Sequence, residues 1–458
     1  MAGGKRRNGA TASHRVKRGA ARRPTSTRQT PRSASGTVGE EMTSAVPADT
    51  TGPAAAPAQM TIRAVTSLPG HHTAGYYDKT PWDLTGRYLL ALRAPFCDRV
   101  PEADDIATLG LVDLHDGNRF LPFAQTRAWN WQQGCMLHWL RAPLPHSNPN
   151  VPEVGRHLVV YNDRDQGSQG SGDRFVSVVV DALTGREVSR LPLPVYGLSP
   201  DGRQAVTLNF SRLHRERPGY GYAGVPDPWA GVPEPEDDGI WWMDTETGTH
   251  RLILPTALLA HTARKPSMEG AVHRFNHLQW SPDGKRFAFL HRWRPAAGAT
   301  RGHLTRLCTA APDGSGLAIL ADEERVSHYD WRDPSHILAW ARHAGQDAFF
   351  LLQDPSGGAQ VVAREAMPRD GHCSYSPDPE RRLVANDTYP DPEQRRTLYV
   401  YDTQTGGRTD LGRFFAPPEL ANDFRVDLHP RWSRDGRQLC FDSAHEGSRQ
   451  LYVADISD

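Results

Sequence analysis

Short apolar runs alternate with polar turns along most of this chain, and the pattern is that of strands rather than helices. The clearest instance is a phrase that occurs four times, at intervals of roughly fifty residues. It reads His277-Leu-Gln-Trp-Ser-Pro-Asp-Gly, His328-Tyr-Asp-Trp-Arg-Asp-Pro-Ser, His372-Cys-Ser-Tyr-Ser-Pro-Asp-Pro and His429-Pro-Arg-Trp-Ser-Arg-Asp-Gly. Each phrase is a histidine, two residues, an aromatic, then a turn. Apolar runs follow: Phe287-Ala-Phe-Leu, Ile337-Leu-Ala-Trp, Leu439-Cys-Phe and the weaker Leu383-Val-Ala. Three related openings precede them, at Trp82-Asp-Leu-Thr-Gly, around Trp139, and at Leu198-Ser-Pro-Asp-Gly. Asp181-Ala-Leu-Thr-Gly, Asp244-Thr-Glu-Thr-Gly and Asp402-Thr-Gln-Thr-Gly read as hairpins between outer strands, with glycine supplying positive φ. About seven openings over roughly four hundred residues predict an all-β fold, a seven-bladed β-propeller with four-stranded antiparallel blades. Gln450-Leu-Tyr-Val-Ala-Asp is expected to pair with the segment near Thr61-Ile-Arg-Ala-Val and close the ring, which removes exposed sheet edges.

Composition refines this. The chain has 458 residues with 53 basic and 53 acidic side chains, and that balance argues against a nucleic-acid-binding body. Thirty-seven Pro and 41 Gly suit turn-rich β structure. Twelve Trp and thirteen Tyr suit inter-blade packing and also a carbohydrate-binding cleft. Five scattered cysteines, Cys97, Cys135, Cys308, Cys373 and Cys440, form no disulfide framework and fit reduced thiols in the cytoplasm. No segment is apolar for long enough to span a membrane. Residues 1–58 are rich in Lys, Arg, Ala, Ser, Thr, Gly and Pro without an apolar h-region, so a disordered basic tail is expected before a propeller over residues 59–458.

Chemistry concentrates in four places. His277, His328, His372 and His429 would occupy equivalent positions around a common axis. Neutral imidazole suits a divalent metal such as Zn or Mn, and three or four converging nitrogens would complete a site. Cys373 is a further candidate ligand, and Asn276, Asp330, Asp387 and Asp427 are candidates to orient the rings. The alternative is that these histidines cap turns and bond between blades. Gly70-His-His-Thr-Ala-Gly-Tyr-Tyr-Asp-Lys crowds His71, His72, Tyr76 and Tyr77 into blade one. Trp129, Trp131, Gln133 and Asn162 could grip a carboxylate or sugar hydroxyls, or satisfy irregular backbone. Tyr196 and Arg212 would form an acid–base pair if adjacent, because a cation favours phenolate. The stretch from Ser211 to Asp238, which includes Tyr220 and Tyr222, is too long for an idle loop and is expected to be a lid or substrate wall.

Several of these phrases carry a resemblance. Gly-His-His-Thr-Ala-Gly-Tyr-Tyr-Asp-Lys, Ala-Trp-Asn-Trp-Gln-Gln-Gly-Cys-Met-Leu, Arg-Pro-Gly-Tyr-Gly-Tyr-Ala-Gly, Phe-Asn-His-Leu, Gly-His-Cys-Ser-Tyr and Asp-Leu-His-Pro-Arg-Trp-Ser are similar to the seven-bladed propeller polysaccharide lyases. The ulvan-lyase-like group is the nearer match and the oligogalacturonate lyases the more distant one. The resemblance runs from about Pro69 to the C-terminus. It implies β-elimination at a uronic acid, with the carboxylate neutralised, a His or Tyr taking the C5 proton, and a second group protonating the leaving oxygen. Tyr196 and Arg212 match the family's Tyr and Arg, and the four histidines match metal ligands. Where ulvan lyases place histidines in blades two and three, this chain has Gln133 and Asn162, so His72 or His138 would have to substitute, or the substrate differs. The expected partner is an acidic oligosaccharide, bound by a monomeric chain that engages neither nucleic acid nor membrane. Two other readings fit the same scaffold: a non-catalytic glycan- or protein-binding propeller with a structural metal, and a glycoside hydrolase.

Overall fold

A computed structural model of the chain describes residues 61–140, 157–167, 172–296 and 302–456. The expected N-terminal tail lies outside the described residues. Seven four-stranded antiparallel sheets follow one another as the blades of a propeller. The strands nearest the axis are His71–Thr73, His138–Trp139, Gly197–Leu198, Val272–Trp280, Val326–Asp333, Ser374–Tyr375 and Arg431–Trp432. Blade one therefore opens at His71. The Trp82 phrase is instead the turn into its second strand, Tyr88–Ala94, with Trp82 bridged to Leu89.

Blade seven is completed from the other end of the chain. Ile62–Ala64 pairs antiparallel with Gln450–Asp455, Ile62 opposite Ala454 and Ala64 opposite Tyr452. The pairing satisfies the backbone of a strand that would otherwise be an open edge.

The repeated phrase is a device for joining blades. The indole of Trp280 donates to the carbonyl of Gly197 at 3.1 Å, Trp331 to Gln279 at 3.2 Å, and Trp432 to Ser374 at 3.1 Å. Trp139 donates likewise to Pro81 at 2.7 Å. Each is a tryptophan on one blade reaching backbone of, or just after, the first strand of the blade before it. The Ser-x-Asp-Gly turn after it closes on itself. Ser281 Oγ donates to Asp283, Ser433 Oγ to Asp435, and Gly284 and Gly436 take φ of +70° and +73°. In the outer hairpins the Oδ1 of Asp181, Asp244 and Asp402 accepts the amides two and three residues on, and the turn ends on a glycine in the left-handed region.

The second strands, such as Phe287–Arg294 and His336–His343, are buried on both faces because blades pack on either side. All five cysteines are buried and unpaired. Among the described residues no helix is long and apolar enough to cross a membrane.

Candidate functional site

The segment after the first strand of blade one carries Tyr76 and Tyr77 into the middle of the ring. Both are buried, at 3% and 2% exposure. Tyr76 stands edge-on to His277, His372 and His429 with centroids 5.2, 6.0 and 5.1 Å apart. Tyr77 meets His277, His328 and His372 at 5.3, 5.7 and 5.3 Å. The four histidines of the repeated phrase therefore surround a tyrosine pair.

They divide into two kinds. His328, His372 and His429 form a cluster, with centroids 4.1 Å apart between His328 and His372 and 4.2 Å between His372 and His429. The Nδ1 of His372 is 2.9 Å from Asp387 Oδ1, and that of His328 is 2.9 Å from Asp370 Oδ1. A carboxylate on Nδ1 fixes the tautomer that leaves Nε2 with a lone pair. Asp387 also receives the backbone amides of both His372 and His429, at 2.8 and 3.1 Å. His277 lies apart from the cluster. Its ring stacks on Tyr329 at 4.2 Å, and its Nε2 is 3.8 Å from Asp78, which Lys79 holds at 2.6 Å. His277 and His429 both have positive φ, +52° and +46°, so the four phrases do not share one backbone conformation.

His372, His429 and Asp427 offer ligand atoms that all lie within 4.8 Å of one another. Among the described residues the Nε2 of His372 and both ring nitrogens of His429 are buried without a hydrogen-bond partner, while Oδ2 of Asp427 is paired with Arg425 at 2.7 Å. Buried polar atoms are rarely left so. Two imidazoles and a carboxylate with lone pairs converging on one point fit a divalent cation. Burial pushes the Asp427 carboxyl up, but Arg425 at 2.7 Å and His372 together hold it below its ordinary value, so it is charged. Burial keeps His429 neutral, as a ligand must be.

Arg425 links this cluster to a second group. Its guanidinium donates to the Tyr220 hydroxyl at 3.3 Å, while Arg217 lies 4.0 Å over the Tyr220 ring. Burial alone would raise this phenol, yet Arg217 and Arg425 bring it below its ordinary value. A tyrosine flanked by two arginines is thus present, at Tyr220.

Tyr196 and Arg212 are placed differently from the expectation. The Tyr196 hydroxyl is fully engaged. It takes the Gln133 amide at 2.8 Å and the His277 backbone N–H at 2.8 Å, and it donates to Asn276 Oδ1 at 2.8 Å. Burial raises it well above the usual phenol range. Arg212 donates from Nε to the His273 carbonyl at 2.7 Å, and from its other nitrogens to Trp229, Val232 and Pro233. It lies 3.6 Å from Asp227. Arg212 is the clamp of the long stretch, whose first residues form a short helix, Phe210–Glu216, capped by Asn209. That stretch is pinned at Arg212 and largely buried up to Tyr222, while residues 223–234 are half-buried or exposed.

The other expected residues are held by packing and hydrogen bonds away from the Tyr220 group. Asn162 gives its amide to Val195 and Tyr222 and accepts the Val195 N–H, so it pins the strand leading to Tyr196. Tyr222 is fully buried and stacks on Phe210 at 4.4 Å. Trp129 and Trp131 meet edge-to-face at 5.2 Å in the core between blades one and two. His72 bonds Gln450 at 2.8 Å, and burial lowers it to about 4. Burial lowers His138 to about 3, and it lines a separate axial cavity of about 340 Å³ with Asp78, Lys79 and Asp330. Cys373 is buried, its thiol pushed up by desolvation. Asp370, Arg217 and Arg425 carried no signal in the sequence beyond their nearness to His372, Tyr220 and Asp427.

Comparison with known proteins gives the fold and little else. No protein-family model matches the chain, and no curated protein matches it. Among solved structures it is similar to an oligogalacturonate lyase from Vibrio parahaemolyticus, with a TM-score of 0.57 and 14% identity, over 88% of this chain and 95% of that one. It is also similar to an oligogalacturonate lyase in complex with manganese, with a TM-score of 0.55 and 16% identity, over 87% and 93%. Both share the propeller with this chain. At that identity the likeness speaks for the scaffold, while the site must be argued from its own residues.

Proposed function

We propose that this protein is a lyase of uronate-containing oligosaccharides, cleaving by β-elimination with a divalent cation in the site. The observation that carries this reading is Tyr220, a buried phenol under Arg217 and bonded by Arg425, which in turn bridges to Asp427 of the histidine cluster. The cation pair stabilises phenolate, which is the form that removes a carbon-bound proton. Two solved oligogalacturonate lyases with the same scaffold, one holding manganese, agree with the chemistry. The solved structures support the oligogalacturonate lyase side of the resemblance, which the sequence ranked as the more distant, and lend none to the ulvan-lyase-like group.

His372, His429 and Asp427 would hold the cation, with His328 beside them. When bound, it would supply Lewis-acid stabilisation of the charge that builds on a uronate carboxylate. The protein's own residues supply the rest. Asp387 and Asp370 orient His372 and His328. Tyr220 takes the proton α to the carboxylate, and Arg217 and Arg425 hold the phenolate form. Tyr76, buried between the histidines with its hydroxyl raised by desolvation, remains protonated and would give its proton to the leaving oxygen. Tyr196 positions His277 and Asn276 rather than reacting. The same reading takes the chain to act as a monomer in the cytoplasm.

Incubation with oligogalacturonates and glucuronate-containing oligosaccharides should give products with ultraviolet absorbance from the new double bond. The activity should fall on chelation. No absorbance change across a broad panel of acidic glycans would sink the reading. Cleavage without a double bond would mark a hydrolase instead.

A further inference from the structure

Blade four carries an arrangement that the histidine cluster does not explain. Arg274 on the first strand and Arg292 on the second are direct cross-strand partners. Like charges placed opposite each other on a sheet are destabilising. Both are buried, at 3% and 7% exposure. Arg217 and Arg294 add to the same positive field, and burial together with that field lowers Arg274 to about 9. It still carries its proton at neutral pH.

The compensation is thin. Glu216, which acts on Arg274 electrostatically, is 2.8 Å from Arg294 and 3.4 Å from Arg215. Asp423 is 3.6 Å from Arg217. Among the described residues Arg274 makes no hydrogen bond or ion pair, and the Nε atoms of Arg274 and Arg292 are both buried without a partner. Among the described residues Arg292 bonds only His303, at 2.7 Å, and burial keeps that imidazole neutral. Burying a guanidinium without an anion costs several kcal/mol. Arg212 shows the contrast, with its nitrogens spread over four backbone carbonyls.

The pair shares a face and a field with residues at the axis. Strand alternation puts Arg274 on the same side as Asn276, whose amide oxygen holds the Tyr196 hydroxyl. Arg292 acts electrostatically on Tyr76, Tyr196 and Tyr220. We propose that Arg274 and Arg292 form a carboxylate-binding site, which takes the uronate group of the substrate and which Arg212 cannot provide. Two planar guanidinium forks suit a carboxylate, and an arriving anion relieves the repulsion between them. This rests on the uronate lyase reading.

The test uses the full chain and thermal unfolding with sodium D-glucuronate, glucose and sodium sulfate. Glucuronate should raise Tm and glucose should not. In Arg274→Gln and Arg292→Gln the concentration needed should rise at least about tenfold, the scale of a lost charge-assisted hydrogen bond. Their unliganded Tm should equal or exceed that of the parent, because a like-charge contact has gone. Arg274→Lys should keep part of the response. The proposal falls if glucuronate does not stabilise the parent, if both Gln variants respond as the parent does, or if sulfate protects equally. It falls too if the Gln variants melt several degrees lower without ligand, which would make these arginines structural. Glucuronate binding without any cleavage of oligouronates would sink the lyase reading and leave this site standing.

Discussion

The hydroxyl of Tyr196 lies 2.8 Å from the backbone nitrogen of His277, and this bond ties blade three to the left-handed bulge within blade four's first strand. Gln133 from blade two and Asn276 from blade four meet the same oxygen. One phenol therefore holds three blades at the axis. Tyr196→Phe leaves a buried N–H and two amides without a partner, which should cost about 1–3 kcal/mol. The urea midpoint should fall, and lyase activity should fall with it as His277 and Asn276 lose their position.

Arg212 gives a prediction of another kind. Its donors hold carbonyls at 229, 232, 233 and 273. Arg212→Ala should lose roughly 3 kcal/mol or more, since several buried acceptors and the Asp227 carboxylate lose their partner. Limited proteolysis should then cut within residues 211–238 first. An Arg212→Ala protein with unchanged stability and no activity would restore this arginine to the reacting group.

The histidine cluster should respond to metal. Elemental analysis should find about one divalent ion per chain, and chelation should lower Tm. His372→Ala should melt lower than the parent and show no further drop on chelation, because binding of a ligand to the folded state alone is what stabilises it. Gly371→Ala is a subtler probe. A Cβ there would press into the Asp387 carbonyl and the Asn386 side chain, both backed by packed strand. The shift would reach His372, so metal content should fall although no ligand is changed.

Stability should also fall in mild acid. Burial lowers His72 to about 4 and His273 to about 3, against 6.5 in the unfolded chain. Below pH 6.5 the unfolded state binds protons that the folded state refuses. These two sites therefore add stability above pH 6.5 and lose it as pH falls toward 4 and 3. Each contributes a slope of up to about 1.4 kcal/mol per pH unit. Urea unfolding between pH 7 and 5 should show the decline, and His72→Gln should flatten it.

What the chain could show by itself was local. The period of the His-x-x-aromatic phrase, the Ser-Pro-Asp-Gly turns and the Asp-x-x-Thr-Gly hairpins each depend on residues within a few positions of one another, and they specify blades. Even ring closure was legible, because Gln450–Asp455 and the stretch at Thr61 both read as strands. Of the four histidines taken as ligands, His372 and His429 converge, joined by Asp427, which was expected only to orient a ring. Three things were decided only by the closed ring. Tyr76 meets His429 across more than 350 positions of chain. The tyrosine beside arginine is Tyr220, because Arg425 arrives from near blade seven. Arg212 turns to the loop, and among the described residues no acid bonds Arg274 or Arg292. Such partnerships depend on which side chains the curvature of the sheet brings together at the axis, and no local pattern encodes that distance.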